Sequence, residues 1–355
     1  MLGKVKIFMI IVVVLNLFFT ATVLANEEIL GLEEIIEQAL DNSLELEMAA
    51  LNLEDAKVNY NKNKLNNLMS SSHLFELQSE LKLLQAEENY KKSRDSVIID
   101  IIGRYLDIVK IDQEIISSEM DLALEERRVD EVQAQVEVGY KGSLELFEQE
   151  TKYLAVSNSI ERVKYERDQK LRRLKQKIAV DNEIKIGLLE LVLPEVWDIE
   201  QEEVLAVGLD NNVVLDMREK QVELAKNELE KAKVSGTPEL DLRQNEIALD
   251  KANLNLKQEK LNLENNLENR HFQYQQSAKN LEMAEKSLHQ SREHYKIIKE
   301  QFEAGLVSKN DMLASELQLY KSKDNLTSAI ITYYTSKLQL QQAMGMELEV
   351  EIDNE

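Results

Sequence analysis

Apolar residues recur at every seventh position along two stretches of this chain. Ile101, Ile108, Ile115, Leu122, Val129 and Val136 form one ladder. Leu267, Tyr274, Leu281, Leu288, Tyr295 and Phe302 form another. A strict seven-residue spacing held over this distance predicts long helices in left-handed coiled-coil packing. Moving the first ladder by 166 residues lays it on the second, rung for rung. The ladders end at Gly139 and Gly305, where a helix can stop in a left-handed cap. Ser143 and Ser308 follow as N-caps, with Glu145 and Asp311 in the first turn to suit the helix dipole. The tyrosine and phenylalanine rungs of the second ladder need wider holes than the isoleucine rungs of the first. The two halves are therefore expected to pack non-identically.

The repetition extends upstream. Leu40-Asp41-Asn42-Ser43-Leu44 is echoed by Leu209-Asp210-Asn211-Asn212-Val213, and Ala56-Lys57 by Ala225-Lys226, at a shift of 169. Repetition on this scale means two copies of one domain-sized unit. Each copy opens with a helix, about Ser43 to Asn67 or Asn212 to Val234. A long helix of roughly 66 residues follows, about 100 Å at 1.5 Å per residue. After the turn a helix of about 37 residues returns, Leu144 to Val180 or Lys309 to Met344. Opening and returning helices together nearly match the long one, so they are expected to stack end to end along it. The chain is read as all-α: two tandem repeats of very long antiparallel coiled-coil helices. The first repeat covers 26–190 and the second 199–346. A linker, 191–198, is marked by Pro194 and Trp197, and an acidic tail, 347–355, is expected to be unstructured.

Charge and composition narrow the function. The net charge of −23 rules out binding nucleic acid or an anionic membrane surface through the overall field. Without cysteine there are no disulfides and no thiol chemistry. Lys4 and Lys6 precede an apolar stretch from Ile7 to Phe19, and Val23-Leu24-Ala25 suits a cut before Asn26. Residues 1–25 therefore predict an export signal, with a retained anchor as the alternative. Of the four histidines, His73, His271, His289 and His294, the last two lie five apart and share no helix face for ligation. No phosphate loop or nucleophile elbow is present. No catalytic residue, metal or cofactor is expected, and the chain is not read as an enzyme.

Two turn motifs carry a family resemblance. Val138-Gly139-Tyr140-Lys141-Gly142-Ser143-Leu144-Glu145-Leu146-Phe147 resembles the first tip motif of TolC-like outer membrane efflux proteins. Phe302-Glu303-Ala304-Gly305-Leu306-Val307-Ser308-Lys309-Asn310-Asp311-Met312-Leu313-Ala314 resembles the second more closely. Leu340-Gln341-Gln342-Ala343-Met344-Gly345 is similar to the family's last helix end. The resemblance covers about Leu32 to Gly345. It implies a homotrimer whose chains close a twelve-helix barrel in the outer membrane and periplasm. The barrel would be a passive exit duct served by a periplasmic adaptor and an inner-membrane efflux pump or ABC transporter. By the same resemblance the adaptor docks on Gly139, Gly142, Ser143, Leu146, Gly305, Val307, Ser308, Asp311 and Met312. Asp311 and Glu316 would narrow the tunnel.

The chain departs from that family in one respect. The membrane β-hairpins would lie between each opening helix and its long helix. There the chain offers only Asn66 to Ser72 and Ser235 to Leu242. A membrane-crossing strand needs about 9 to 11 residues, and a hairpin needs two. The β-barrel is therefore expected to be minimal or absent, which leaves membrane insertion open. An exported coiled-coil scaffold is the alternative reading. A pump adaptor is a third, disfavoured by the lack of strand-forming sequence.

Overall fold

A computed structural model describes residues 29–70, 73–189 and 191–348. The predicted signal segment and the tail beyond 348 lie outside the described residues. Eight helices fill most of this span. They are α1 (Leu32–Asp41), α2 (Leu44–Ser70), α3 (His73–Glu137), α4 (Ser143–Lys177), α5 (Gln201–Asp210), α6 (Val213–Val234), α7 (Glu239–Glu303) and α8 (Lys309–Ala343). Two short strands, β1 (Ile29–Leu30) and β2 (Lys185–Ile186), pair in parallel. The long helices α3 and α7 are 65 residues each. That is close to the length predicted from the ladders.

The helices form a layer one helix deep. α3 packs against α2 and α4, and also against α6 and α8; α7 packs against α6 and α8. The order across the layer is therefore α2 with α4, then α3, then α6 with α8, then α7. Within each half the opening and returning helices share one long neighbour, as stacked struts must. The core lies where they meet. Ile98, Ile101, Ile102, Tyr105 and Ile108 of α3 are buried there against Leu174, Leu267, Tyr274 and Tyr333. Ladder rungs nearer the turns, such as Ile115, Leu122, Leu288 and Tyr295, are half-buried.

The echoed Leu-Asp-Asn triplets sit at the stacking joints. Asn42 Nδ2 donates to Ile178 O and Asn211 Nδ2 to Met344 O, each at 3.3 Å. Each asparagine ends a ten-residue helix (α1 or α5) and caps a backbone carbonyl at the end of the returning helix below it. These two short helices are absent from the sequence reading, which began the opening helices at Ser43 and Asn212. Their helical pattern is too short to stand apart from its flanks.

The returning helices end alike, in Schellman turns. Val180 N donates to Lys175 O and Met346 N to Gln341 O. The left-handed position is Gly345 in the second copy but Ala179, at φ 57°, in the first. A Cβ is unfavourable there. Ala179→Gly should raise stability by about 0.5–1 kcal/mol, the relief of that strain less the extra chain entropy of glycine. Chemical unfolding of the two forms checks this.

The halves do pack differently. Lys170 pairs with Asp107, Arg167 with Asp112 and Lys164 with Glu119, each at 2.7 Å, zipping α4 to α3. The second half uses aromatic rings at the same height. Tyr333 lies 5.5 Å from Tyr274, which meets Trp197 edge-on at 5.9 Å. The connection between halves is also longer than the 191–198 linker predicted. It leaves α4 at Ile178 and reaches α5 at Gln201, including β2 on the way. Tyrosine hydroxyls strap it to the helices: Tyr105 bonds Gly187 O and Leu189 N, and Tyr333 bonds Glu195 O and Trp197 N. The tail is not free from Glu347 onward, because Leu348 still packs on the core.

Candidate docking tips and free edges

Both predicted tips are Schellman turns closed by a left-handed glycine. Gly139 has φ 79° and Gly305 has φ 71°. Tyr140 N donates to Gln135 O, and Leu306 N to Gln301 O, each at 2.8 Å. After the turn the copies differ by one cap. Ser308 caps α8: its Oγ accepts from Asp311 N, and the Asp311 carboxylate accepts from Ser308 N at 3.0 Å. The Ser308 hydroxyl, which donates to the same carboxylate at 2.7 Å, and then the Ser308 N–H hold the Asp311 carboxyl below its usual range. In the first copy the N-cap is Gly142, not Ser143, which is the first residue of α4. The shift of 166 aligns Gly142 with Ser308 and Glu145 with Asp311. Only the reciprocal half of the box survives: Glu145 Oε2 accepts from Gly142 N at 3.0 Å.

The tips sit side by side. The Asn310 amide donates to Glu131 of α3. From that tie α3 runs on for six more residues, about 9 Å, to its end at Glu137, whereas Asn310 is already the second residue of α8. The first tip therefore projects further. Of the predicted docking residues, Gly139, Gly142, Ser143, Gly305, Ser308 and Asp311 are exposed, and Leu146 and Val307 half-buried. Met312 is buried and faces its own bundle. The large exposed apolar side chains at this end are others, Val138, Tyr140, Leu144, Phe147 and Leu306, with Tyr140 exposed to 86 %. Asp311 and Glu316 both turn to their own chain, Asp311 to its cap and Glu316 to the Tyr295 hydroxyl. Burial, then the Glu316 charge, pushes Tyr295 above its usual range.

The edges of the layer carry a second signal. On α2, Leu44, Leu51, Val58 and Leu65 are seven apart and exposed; on α7, so are Leu240, Ile247, Leu254 and Leu261. These eight are 39–81 % exposed. Heptad ladders are normally packing seams, and among the described residues these two are left exposed.

At the opposite end from the tips, α6 passes into α7 through four residues, 235–238, and two residues separate α2 from α3. Neither connection has room for a membrane-crossing hairpin. Among the described residues no helix is long and apolar enough to cross a membrane. Nor do the described residues contain a cluster of three histidine, cysteine or carboxylate side chains that could hold a metal.

Stacked short helices flanking two long ones, in a duplicated chain, define the protomer fold of TolC-like channels. Residues 234–346, covering α7, its turn and α8, match the model of the outer membrane efflux protein family. No curated protein sequence matches the chain. Among solved structures, the CmeC outer membrane channel of Campylobacter jejuni superposes with a TM-score of 0.64 at 14 % identity, over 91 % of this chain and 87 % of that one. The outer membrane protein VceC of Vibrio cholerae gives 0.64 at 13 %, over 90 % and 97 %. The MtrE outer membrane channel of Neisseria gonorrhoeae, in its open state, gives 0.53 at 16 %, over 91 % of each chain. At such identities the shared property is the fold.

Proposed function

We propose that this chain is the protomer of a passive helical exit duct in the cell envelope. Three copies close a ring of twelve helices, each copy giving α2 with α4, α3, α6 with α8, and α7. Cargo reaches the duct from an inner-membrane transporter through an adaptor that docks on the exposed apolar tips. Conduction needs no catalysis, and the energy comes from the transporter.

The pair of exposed edge ladders carries this reading. Run antiparallel, they match in register: Leu44 opposite Leu261, Leu51 opposite Leu254, Val58 opposite Ile247 and Leu65 opposite Leu240. The α2 edge of one copy thus fits the α7 edge of the next. Two different edges make a head-to-tail contact, which generates a closed ring when the rotation closes. The short connections at the far end favour a duct that does not cross a membrane by strands of its own. They equally suit the second reading, an envelope scaffold without a channel.

Cysteine cross-linking tests the ring, and the chain has no native cysteine to interfere. Leu51→Cys combined with Leu254→Cys should give a covalent trimer on mild oxidation in envelopes. Either substitution alone should give none. A double variant that stays monomeric, or stops at a dimer, would remove the duct and leave the scaffold.

A further inference from the structure

A polar cavity of about 460 Å³ opens at the joint where α8 ends and α6 begins, between α3 and α7. Its walls include Glu88, Lys91, Lys92 and Asp95 of α3, and Glu259 and Arg270 of α7. Three of these six charges already have partners. Glu88 pairs with Lys92 at 3.1 Å, and Glu259 with Arg218 at 3.4 Å. Three charges do not cancel in this way. Lys91 Nζ donates to the neutral carbonyl of Gly345 at 2.5 Å. Arg270 Nη1 donates to the amide oxygens of Gln339 at 2.6 Å and Gln273 at 3.2 Å. Asp95 is only 3 % exposed, and its Oδ1 is buried with no hydrogen-bond partner.

We propose that this cavity binds a small zwitterion, with its ammonium on Asp95 and its carboxylate toward Lys91 and Arg270. The chemical class is a free amino acid or a close analogue. A buried carboxylate oxygen without a donor is unfavourable, and an ammonium supplies that donor together with the opposite charge. The hydrogen-bond acceptors of the two cations are neutral, and Lys91 acts on Asp95 through its charge alone, so an entering carboxylate can pair with both cations without breaking an ion pair. Both poles line one cavity with room for an amino acid, and Asn262, Asn266 and Gln342 line it as well. The repeat does not demand a carboxyl here, because the shift of 166 places Leu261 at the position equivalent to Asp95. Desolvation also raises the Asp95 carboxyl above its usual range, ahead of the lowering by Lys91 and Arg94 and the raising by Glu88 and Glu347. That cost is what a bound ammonium would offset.

Calorimetric titration of the purified full chain near neutral pH tests this with three probes. L-Alanine carries both poles, ethylamine only the cation, and propionate only the anion. L-Alanine is expected to bind, with ethylamine and propionate about tenfold or more weaker. Asp95→Asn should weaken L-alanine binding by about tenfold or more, the loss of one charge-assisted hydrogen bond. A melting curve of the variant confirms that it is folded. No L-alanine binding would mean a cavity holding water alone. Equal binding of ethylamine would remove the carboxylate pole, and undiminished binding to Asp95→Asn would remove the ammonium pole. Each of these outcomes overturns the proposal. The measurement is made without export, so it stands or falls apart from the duct reading.

Discussion

Tyr140→Glu with Phe147→Glu is expected to abolish dye extrusion in cells that depend on this chain for it, while folding and assembly persist. Both rings lie at the first tip, which projects beyond the second, and both are largely exposed. Neither supports the bundle, so placing a charge there costs the fold little. In a docked complex the same rings would be buried aromatic anchors, typically worth about 2 kcal/mol or more each. Loss of one corresponds to roughly thirtyfold weaker docking, and loss of both should exceed what a cell can compensate. Gly305→Arg with Ser308→Glu should act in the same direction through the second tip, where the left-handed cap and the Ser308 cap are lost together. Dye retention in cells carrying each variant is the measurement, with cross-linked trimer as the assembly control. Extrusion at the wild-type rate with both tips altered would exclude the tips as the docking surface.

Gly345→Val is expected to lower stability by about 3 kcal/mol. Two effects combine at this position. The backbone has φ 69°, which penalises any side chain. A Cβ there would also stand 3.0 Å from both the Cβ and the carbonyl oxygen of Asn211. The second contact is with backbone, which cannot swing aside, and it would prise α8 away from the joint with α6. The bond from Asn211 to Met344 and that from Lys91 to Gly345 would be strained together. Ala179 shows why both effects are needed. It occupies the equivalent position with a positive φ, yet its copy of the joint tolerates a Cβ. Equilibrium unfolding of Gly345→Val beside Ala179→Gly should therefore shift in opposite directions.

The buried Asp95 gives a pH signature. Its folded pKa lies above that of the unfolded chain, because desolvation disfavours the charge. The folded state then holds the proton more tightly, so stability falls as pH rises from the ordinary carboxylate range through the raised value. Asp95→Asn removes the charge and should melt higher than the wild type near neutral pH. The gain should shrink as pH falls and the native carboxyl becomes protonated. Melting curves across the acidic range decide this; a gain independent of pH would assign the effect to packing.

Much of the fold was legible because its signals are local. Seven-residue spacing and a glycine that can adopt positive φ both act within one helix or one turn. They located α3, α7 and the tips to within a few residues. The cap of α4 was misplaced by one residue because Ser143 looks the better N-cap by type. The repeat register gives that role to Gly142, aligned with Ser308. The joints were not legible, since Asn42 and Asn211 act on carbonyls 136 and 133 residues away. The tyrosine straps on residues 187–197 were equally hidden.

The sequence by itself determined the helical class, the duplication, the long and short helix lengths and the chemistry of the turns. Periodicity and backbone conformational preference act over a few residues, so they are written in the order of side chains. Tertiary structure alone decided which ladders are buried and which are left bare. Ile101 and Leu51 belong to apolar ladders of the same spacing, and only their neighbours in space distinguish a core rung from a free edge. It also decided that six ionisable groups from two distant helices would line one cavity and that Asp95 Oδ1 would be left without a donor. Those outcomes depend on how rigid helices of fixed length come to rest against one another, which no local stretch of sequence records.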